Sequence, residues 1–432
     1  MQNSERSILI KEGRVIDPLR GIDRVMDVVI EGERIGAVVN KVDVSQVFDE
    51  VIDAAGKWVL PGLTDMHVHL REPGREDEET IETGARAAAA GGFTAVACMP
   101  NTLPVLDDES KVRYVVLQGQ NAAARVYPIG SVTKGQLGKE LALIGEMVDA
   151  GAVAISEDGK SVRDAGLMRN ALNYAKMFNI PVIAHCEDED LSRGGCMNEG
   201  STSTVLGIKG IPSLAEEVMV ARDLILAEYL KARIHIAHVS TAGSIRLIRE
   251  FKNRGVAVTA ETAPHYFALT EKALLDYNTN ARMNPPLRTQ QDVEAIKQAL
   301  ADGTIDAIAT DHAPHSLEEK DCEFEAAANG IIGLETSVAL TYTHLVLTGI
   351  LSPAQMVEKL SVKPNEILRL GGGSLSRGDP ADITVFDPSR EWIVDPERFQ
   401  SKSRNTPFGG AKLKGKAVFT IMGGRITYSD PA

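Results

Sequence analysis

The chain has 432 residues, too many for one small core and suited to a large domain of roughly 250–350 residues plus a smaller one. Its composition, 44% hydrophobic with 38 glycines and 19 prolines, is ordinary for a globular α/β protein. A net charge of −14 argues against nucleic-acid binding, which needs a basic face, and no run of about 18 apolar residues marks a membrane span.

Residues 1–7 are polar, with no apolar signal core, so no targeting segment is expected. Residues 7–60 hold short apolar runs, among them Ile8-Leu9-Ile10, Val28-Val29-Ile30 and Val51-Ile52, punctuated by Gly13, Gly21, Gly32 and Gly36. Small antiparallel strands with tight turns are predicted there. The far end has the same texture at 382–386 and 416–425. The two ends, 1–60 and 373–432, are expected to pair as one small composite β-sandwich domain.

The middle, 61–372, alternates strand and helix. Strands are predicted at 59–70, 93–99, 125–131, 152–156, 181–185, 233–238, 256–261 and 305–310. Helices are predicted at 79–90, 166–178, 214–230 and 292–300. Many strands are continuous apolar runs, the pattern of strands buried on both faces of a parallel sheet. Eight such units fit a (β/α)8 TIM-like barrel. A doubly wound open sheet competes, but no G-x-G-x-x-G follows the first strand. The four cysteines, Cys98, Cys186, Cys196 and Cys322, form no CxxC pair, which fits a reduced, cytoplasmic setting.

In a barrel enzyme the reacting groups sit at the C-terminal strand ends. Strand one ends in His67-Val68-His69. Side chains two apart on a strand share a face, about 7 Å apart, so both imidazoles can close on one ion. Strand four ends in Ser156-Glu157-Asp158, where either acid can turn inward and the other becomes a solvated loop charge. Strand five ends in His185-Cys186-Glu187, and His185 alone is as readily a core histidine. Strand six carries His235 and His238; three apart, they face opposite sides, so His238 is the expected ligand and His235 is expected to pack outward. Strand eight ends in Thr310-Asp311-His312. His or Asp at five of eight strand ends matches the donor set of a hydrolytic zinc site. The cysteines are scattered and left out, and His265 and His344 are assigned to core or surface.

These segments resemble the amidohydrolase superfamily and, within it, the bacterial dihydroorotases. The likeness rests on residues 65–74, Met99-Pro100-Asn101-Thr102, His185-Cys186-Glu187-Asp188, Met283-Asn284-Pro285-Pro286-Leu287-Arg288, 310–315 and Gly378-Asp379-Pro380-Ala381-Asp382. The resemblance implies reversible hydrolysis of dihydroorotate to N-carbamoyl-aspartate, a step of pyrimidine synthesis, using water activated at a metal. It further implies His67, His69 and Asp311 around one Zn2+ and His185 and His238 around a second, with Asp158 as the bridge. Many superfamily members place a carbamylated lysine at that bridge; here Lys160 lies beyond the strand end, and one or two zinc ions per subunit stay open.

By the same resemblance Asp311 moves the proton, and Arg71, Asn101 and His315 contact the substrate carboxylate. Arg71 follows His69 by two and is expected on its face; a surface ion pair with Glu72 or Glu76 is the plainer alternative. Asn284, Asn329 and Gly330 are implied ring contacts, the last two through backbone groups, because Ala327-Ala328-Asn329-Gly330 departs from the family's usual loop. Competing readings are an allantoinase-like cyclic-amide hydrolase and a non-catalytic partner of aspartate transcarbamoylase. A homodimer and a transcarbamoylase complex are both compatible with the resemblance.

Overall fold

The computed structural model describes residues 6–43 and 45–430; the reading of the polar opening lies outside them as far as residue 5. Parallel strands run through the middle of the chain at Leu63–Val68, Phe93–Cys98, Arg125–Pro128 continued by Gly130–Ser131, Ile155–Ser156, Val182–Ala184, Ile234–Ile236, Val258–Thr262 and Ala307–Ile308. Each pairs with the next in chain order. A parallel bridge between Val68 and His312 ties the last strand back to the first. Met66, Ala97, Ile129, Ala154, Ile183, Ala237 and Ala307 form one buried cluster. Helices Ile81–Gly91, Ala165–Phe178, Leu214–Leu230, Ala242–Asn253 and Gln290–Asp302 separate strands. Side chains of Thr80, Asp164, Thr241 and Thr289 accept from first-turn N–H groups and fix where four of them begin.

The predicted strand 59–70 is in fact two strands, broken at Gly62. A Cβ on Gly62 would lie 2.2 Å from Thr94 Oγ1 and 2.9 Å from Asp382 Cβ, so only glycine passes this junction undisturbed. Trp58–Pro61, before the break, pairs in parallel with Ser7–Asp17 and antiparallel with Ile383–Ile393. It thereby stitches the two chain ends into one connected sheet. The order is Arg425–Ser429, Lys412–Met422, Ile383–Ile393, Trp58–Pro61, Ser7–Asp17, Ile22–Glu31 and Arg34–Val39, with Glu50–Asp53 also on Ser7–Asp17. Ile8, Ile10, Val28, Ile52, Val385 and Ile421 give this sheet a hydrophobic core of its own. Among the described residues, no helix is long and apolar enough to cross a membrane.

Candidate metal centre

His67 lies in the first parallel strand and His69 just past its end, with ring centroids 5.5 Å apart. Asp158 follows the fourth strand and stands at the middle of the cluster. Its Oδ1 is 3.4 Å from Nε2 of His67, 3.4 Å from Nε2 of His238 and 3.6 Å from Nδ1 of His185. Its Oδ2 is 3.4 Å from Nε2 of His69. Asp311, beyond the eighth strand, places Oδ1 3.2 Å from His69 Nε2 and 3.5 Å from His67 Nε2. Two buried triads, His67–His69–Asp158 and Asp158–His185–His238, thus share one carboxylate. His238 and Asp311 have φ of +35° and +50°, so the chain turns sharply at both strand ends and strand alternation no longer sets where their side chains point.

These side chains fit a zinc ion. Zn–N and Zn–O bonds of about 2.0–2.1 Å in a tetrahedron put neighbouring donor atoms about 3.3 Å apart, close to the separations here. Nε2 of His67 and Oδ1 of Asp158 are buried with no hydrogen-bond partner, although burying an unpaired polar atom is costly. Burial opposes ionisation of Asp158, but the charge of His67 and the close approach of His185 and His238 hold its pKa well below the carboxylate range. Burial likewise opposes Asp311, and contact with His69 and the charge of His67 bring it down to about 2. Both acids therefore stand as anions at neutral pH, the form a metal requires.

Each triad is held from behind. His67 Nδ1 is 2.6 Å from Glu261 Oε1, His69 Nδ1 is 2.8 Å from Asn101 Oδ1, and His185 Nε2 is 3.2 Å from Glu187 Oε2. Asn284 Nδ2 donates to that same Glu187 oxygen at 2.7 Å. Asn101 and Asn284, expected at the substrate, thus also orient imidazoles.

At the rim, Arg71 has φ +61°, so it does not follow strand alternation from His69. Its ion-pair partner is neither Glu72 nor Glu76 but the buried Glu78, 3.0 Å from Nε. Arg71 Nε also donates to the Pro314 carbonyl, and Nη2 lies 3.3 Å from His315 Nε2. His315 Nε2 is 2.8 Å from the Asn329 carbonyl, while Asn329 Oδ1 accepts from Arg282 Nε. Gly330 has φ +131°, and a Cβ there would meet Ala313 Cβ at 2.5 Å. Glu78, His315 and Glu319 form a third group of ligand type, but Arg71 pairs with Glu78 and Arg75 with both acids.

Two expectations fail. His235 does not pack outward: it is fully buried, with Nδ1 2.8 Å from Thr259 Oγ1 and Nε2 3.3 Å from Glu261 Oε2, on the side of His67. The regular strand stops at Ile236, so counting alternation back from His238 misplaced it. Glu157 is not a solvated charge; it is buried and accepts from Thr133 N and from the hydroxyls of Thr133 and Ser131. Lys160 points away, donating from Nζ to the Gln136 carbonyl at 3.0 Å. No cysteine enters either triad, and His265 is a core residue.

Sequence reasoning missed Glu261, a glutamate near the end of the seventh strand, which was not among the strand ends singled out. It also missed the buried Asp65, whose carboxylate accepts from His67 N and Thr310 N. The C-terminal segment was missed as well: Asn405 Nδ2 donates to the carbonyls of Ala313 and Gly330, and Ser401 Oγ to Glu79.

Residues 56–244 match a family model described as Dihydro-orotase-like. The chain is 56% identical over 426 residues to a dihydroorotase of Pelotomaculum thermopropionicum, covering 98% of this chain and 99% of that one. It is 53% identical to a dihydroorotase of Acetivibrio thermocellus at the same coverage. Among solved structures, L-hydantoinase (dihydropyrimidinase) from Arthrobacter aurescens shares the fold with a TM-score of 0.88 at 24% identity, over 98% of this chain and 96% of that one. Dihydropyrimidinase from Brevibacillus agri gives 0.85 at 23%, over 97% and 94%. These two are like it in fold. Identity above half, sustained along nearly the whole length of curated relatives, places this chain in the dihydroorotase family.

Proposed function

We propose that the protein is a zinc-dependent dihydroorotase that interconverts dihydroorotate and N-carbamoyl-aspartate in the cytoplasm. The observation that carries the reading is the 56% identity to a dihydroorotase over 98% of the chain. The six converging side chains support the chemistry. His67, His69 and Asp311 would hold one ion, and His185 and His238 a second, with Asp158 between them. A divalent ion so placed lowers the pKa of water toward 7 and polarises the carbonyl.

Asp311 is the proton carrier in this reading. One of its oxygens faces His69 and His67, and among the described residues the other has no hydrogen bond. In the hydrolytic direction water adds to the ring amide carbon and the carbon–nitrogen bond breaks. Asp311 takes the water proton and delivers it to the departing ring nitrogen, which becomes the ureido NH2. In the reverse direction the same oxygen withdraws that proton. Arg71 and His315, drawn together at the rim, present N–H groups to the substrate carboxylate. Asn101 and Asn284 offer amides at the mouth, and Asn329 and Gly330 shape the loop over the ring.

For the architecture, we propose that the eight strands close as a (β/α)8 barrel over 61–372, supported by the Val68–His312 bridge. Residues 1–60 and 373–432 form the composite domain, its sheet folded as a sandwich over its separate core. A homodimer and a transcarbamoylase complex are proposals of the resemblance alone, tested by sedimentation with and without that partner.

The experiment for the activity is a side-by-side assay of dihydroorotate, hydantoin and allantoin with the zinc-loaded protein. Turnover of dihydroorotate is expected. Turnover of hydantoin or allantoin without it would reject the assignment.

A further inference from the structure

Glu261 is a buried carboxylate that, among the described residues, pairs with no lysine or arginine. It is 1% exposed, and its ion-pair contacts among those residues are two imidazoles. Oε1 lies 2.6 Å from His67 Nδ1 and Oε2 lies 3.3 Å from His235 Nε2. His235 is held in turn by Thr259, 2.8 Å from its Nδ1. The four residues make one chain, Thr259–His235–Glu261–His67, running beneath the candidate centre.

A carboxylate here is an expensive way to hold a ring still. Taking an ionised acid out of water costs several kcal/mol in the general case, and a neutral group of the same shape avoids that cost. The neighbouring ring shows the cheaper solution: His69 Nδ1 rests on Asn101 Oδ1, an uncharged amide. If Glu261 only anchored packing, a glutamine would accept from His67 Nδ1 equally well. What a glutamine lacks is negative charge, and charge matters to the far side of the ring. A carboxylate bonded at Nδ1–H fixes the tautomer with a lone pair on Nε2 and raises that nitrogen's basicity. Nε2 is the buried atom without a hydrogen-bond partner, 3.4 Å from Asp158 and 3.5 Å from Asp311. Without Glu261, His67 can instead carry its proton on Nε2 and donate it to Asp158, which removes the nitrogen as a donor to an ion.

We propose that Glu261 is a positioning residue for the metal, acting through His67. It commits Nε2 to the ion and strengthens it as a ligand, while His235, fixed by Thr259, lies 3.3 Å from the other carboxylate oxygen. The inference rests on the metal reading above, and its test separates the two.

Full-length protein is stripped with a chelator and titrated with zinc against a chelating indicator. Loss of such a support typically costs about 10- to 100-fold in metal affinity. Glu261→Gln, which keeps the hydrogen bond and loses the charge, is expected to weaken zinc binding about tenfold. Glu261→Ala is expected to weaken it about a hundredfold. The metal-free Gln variant should melt where the wild type does. In histidine-selective 15N spectra of the zinc-loaded protein, the His67 signal should report a proton on Nδ1 in wild type and in the Gln variant. If the Ala variant does not fold, the Gln variant carries the test. Zinc affinity equal in wild type and the Gln variant, with or without a fall in melting temperature, overturns the proposal. A wild type that takes up no zinc overturns the metal reading itself.

Discussion

Replacing Asp311 with asparagine separates the two duties proposed for this side chain. Of the six centre residues it is the most open, with 11% of its side chain exposed against 6% or less for the others. In the proposed reading it faces both the cluster and the side from which substrate would enter. Asparagine keeps the shape and an oxygen toward His69, but its amide cannot accept a proton at any working pH. Five centre side chains remain, enough to keep an ion in place. Positioned general bases are worth about 10²- to 10⁴-fold in rate, about 3–5 kcal/mol of barrier. Asp311→Asn is expected to retain zinc while losing turnover by that factor in both directions, measured by the change in dihydroorotate absorbance alongside metal content. A variant that keeps zinc and works within tenfold of wild type would refute the proton-transfer role. One that loses zinc outright would show that the residue is needed chiefly as a ligand.

Other expectations follow from the rim and the C-terminal segment. Arg71→Ala removes a charged donor to the substrate carboxylate, so KM should rise about 10- to 100-fold with kcat little changed; an unchanged KM rejects the contact. Gly330→Ala forces a Cβ to 2.5 Å from Ala313 at a φ of +131°. It should cost about 1–3 kcal/mol in chemical denaturation and raise KM, and wild-type values for both would count against the loop's role. Burial pushes Glu335 up to about 7, against the opposing bonds from Gln400 N and Ser401 N. The folded protein then keeps a proton that the unfolded chain releases near 4.5, so this group's contribution to stability falls as pH rises from about 4.5 to about 7. Glu335→Gln should flatten that part of the urea-midpoint profile, and an unaltered slope would reject the shift.

The strand ends were legible because burial and chemistry leave separate marks: apolar runs for the strands, then histidine or aspartate where each run stops. His67, His69, Asp158, His185, His238 and Asp311 were all reached that way or through the family resemblance those ends revealed, and the structure brings them together. What alternation could not see was the end of alternation. His238, Asp311 and Arg71 adopt left-handed backbone just beyond regular strand, so the parity argument misplaced His235, and Arg71 pairs with Glu78 instead of the Glu72 or Glu76 offered as the plainer alternative. Glu157 was misread because a charge beside a loop looks solvated until Thr133 and Ser131, more than twenty residues earlier, are seen to bond it. Contacts between residues far apart in the chain, such as Asn405 with Ala313 or Ser401 with Glu79, leave no local signal at all. The break at Gly62 was equally hidden, since the apolar run continues through it and the reason lies in Thr94 and Asp382.

Anomalous diffraction at the zinc absorption edge, from crystals grown with zinc, addresses the convergence of these residues on an ion most directly. A strong peak is expected about 2.0–2.2 Å from His67 Nε2, His69 Nε2, Asp311 and Asp158, with any second peak among Asp158, His185 and His238. Zinc-replete crystals with no peak among these side chains, or with the ion bound elsewhere, would contradict it.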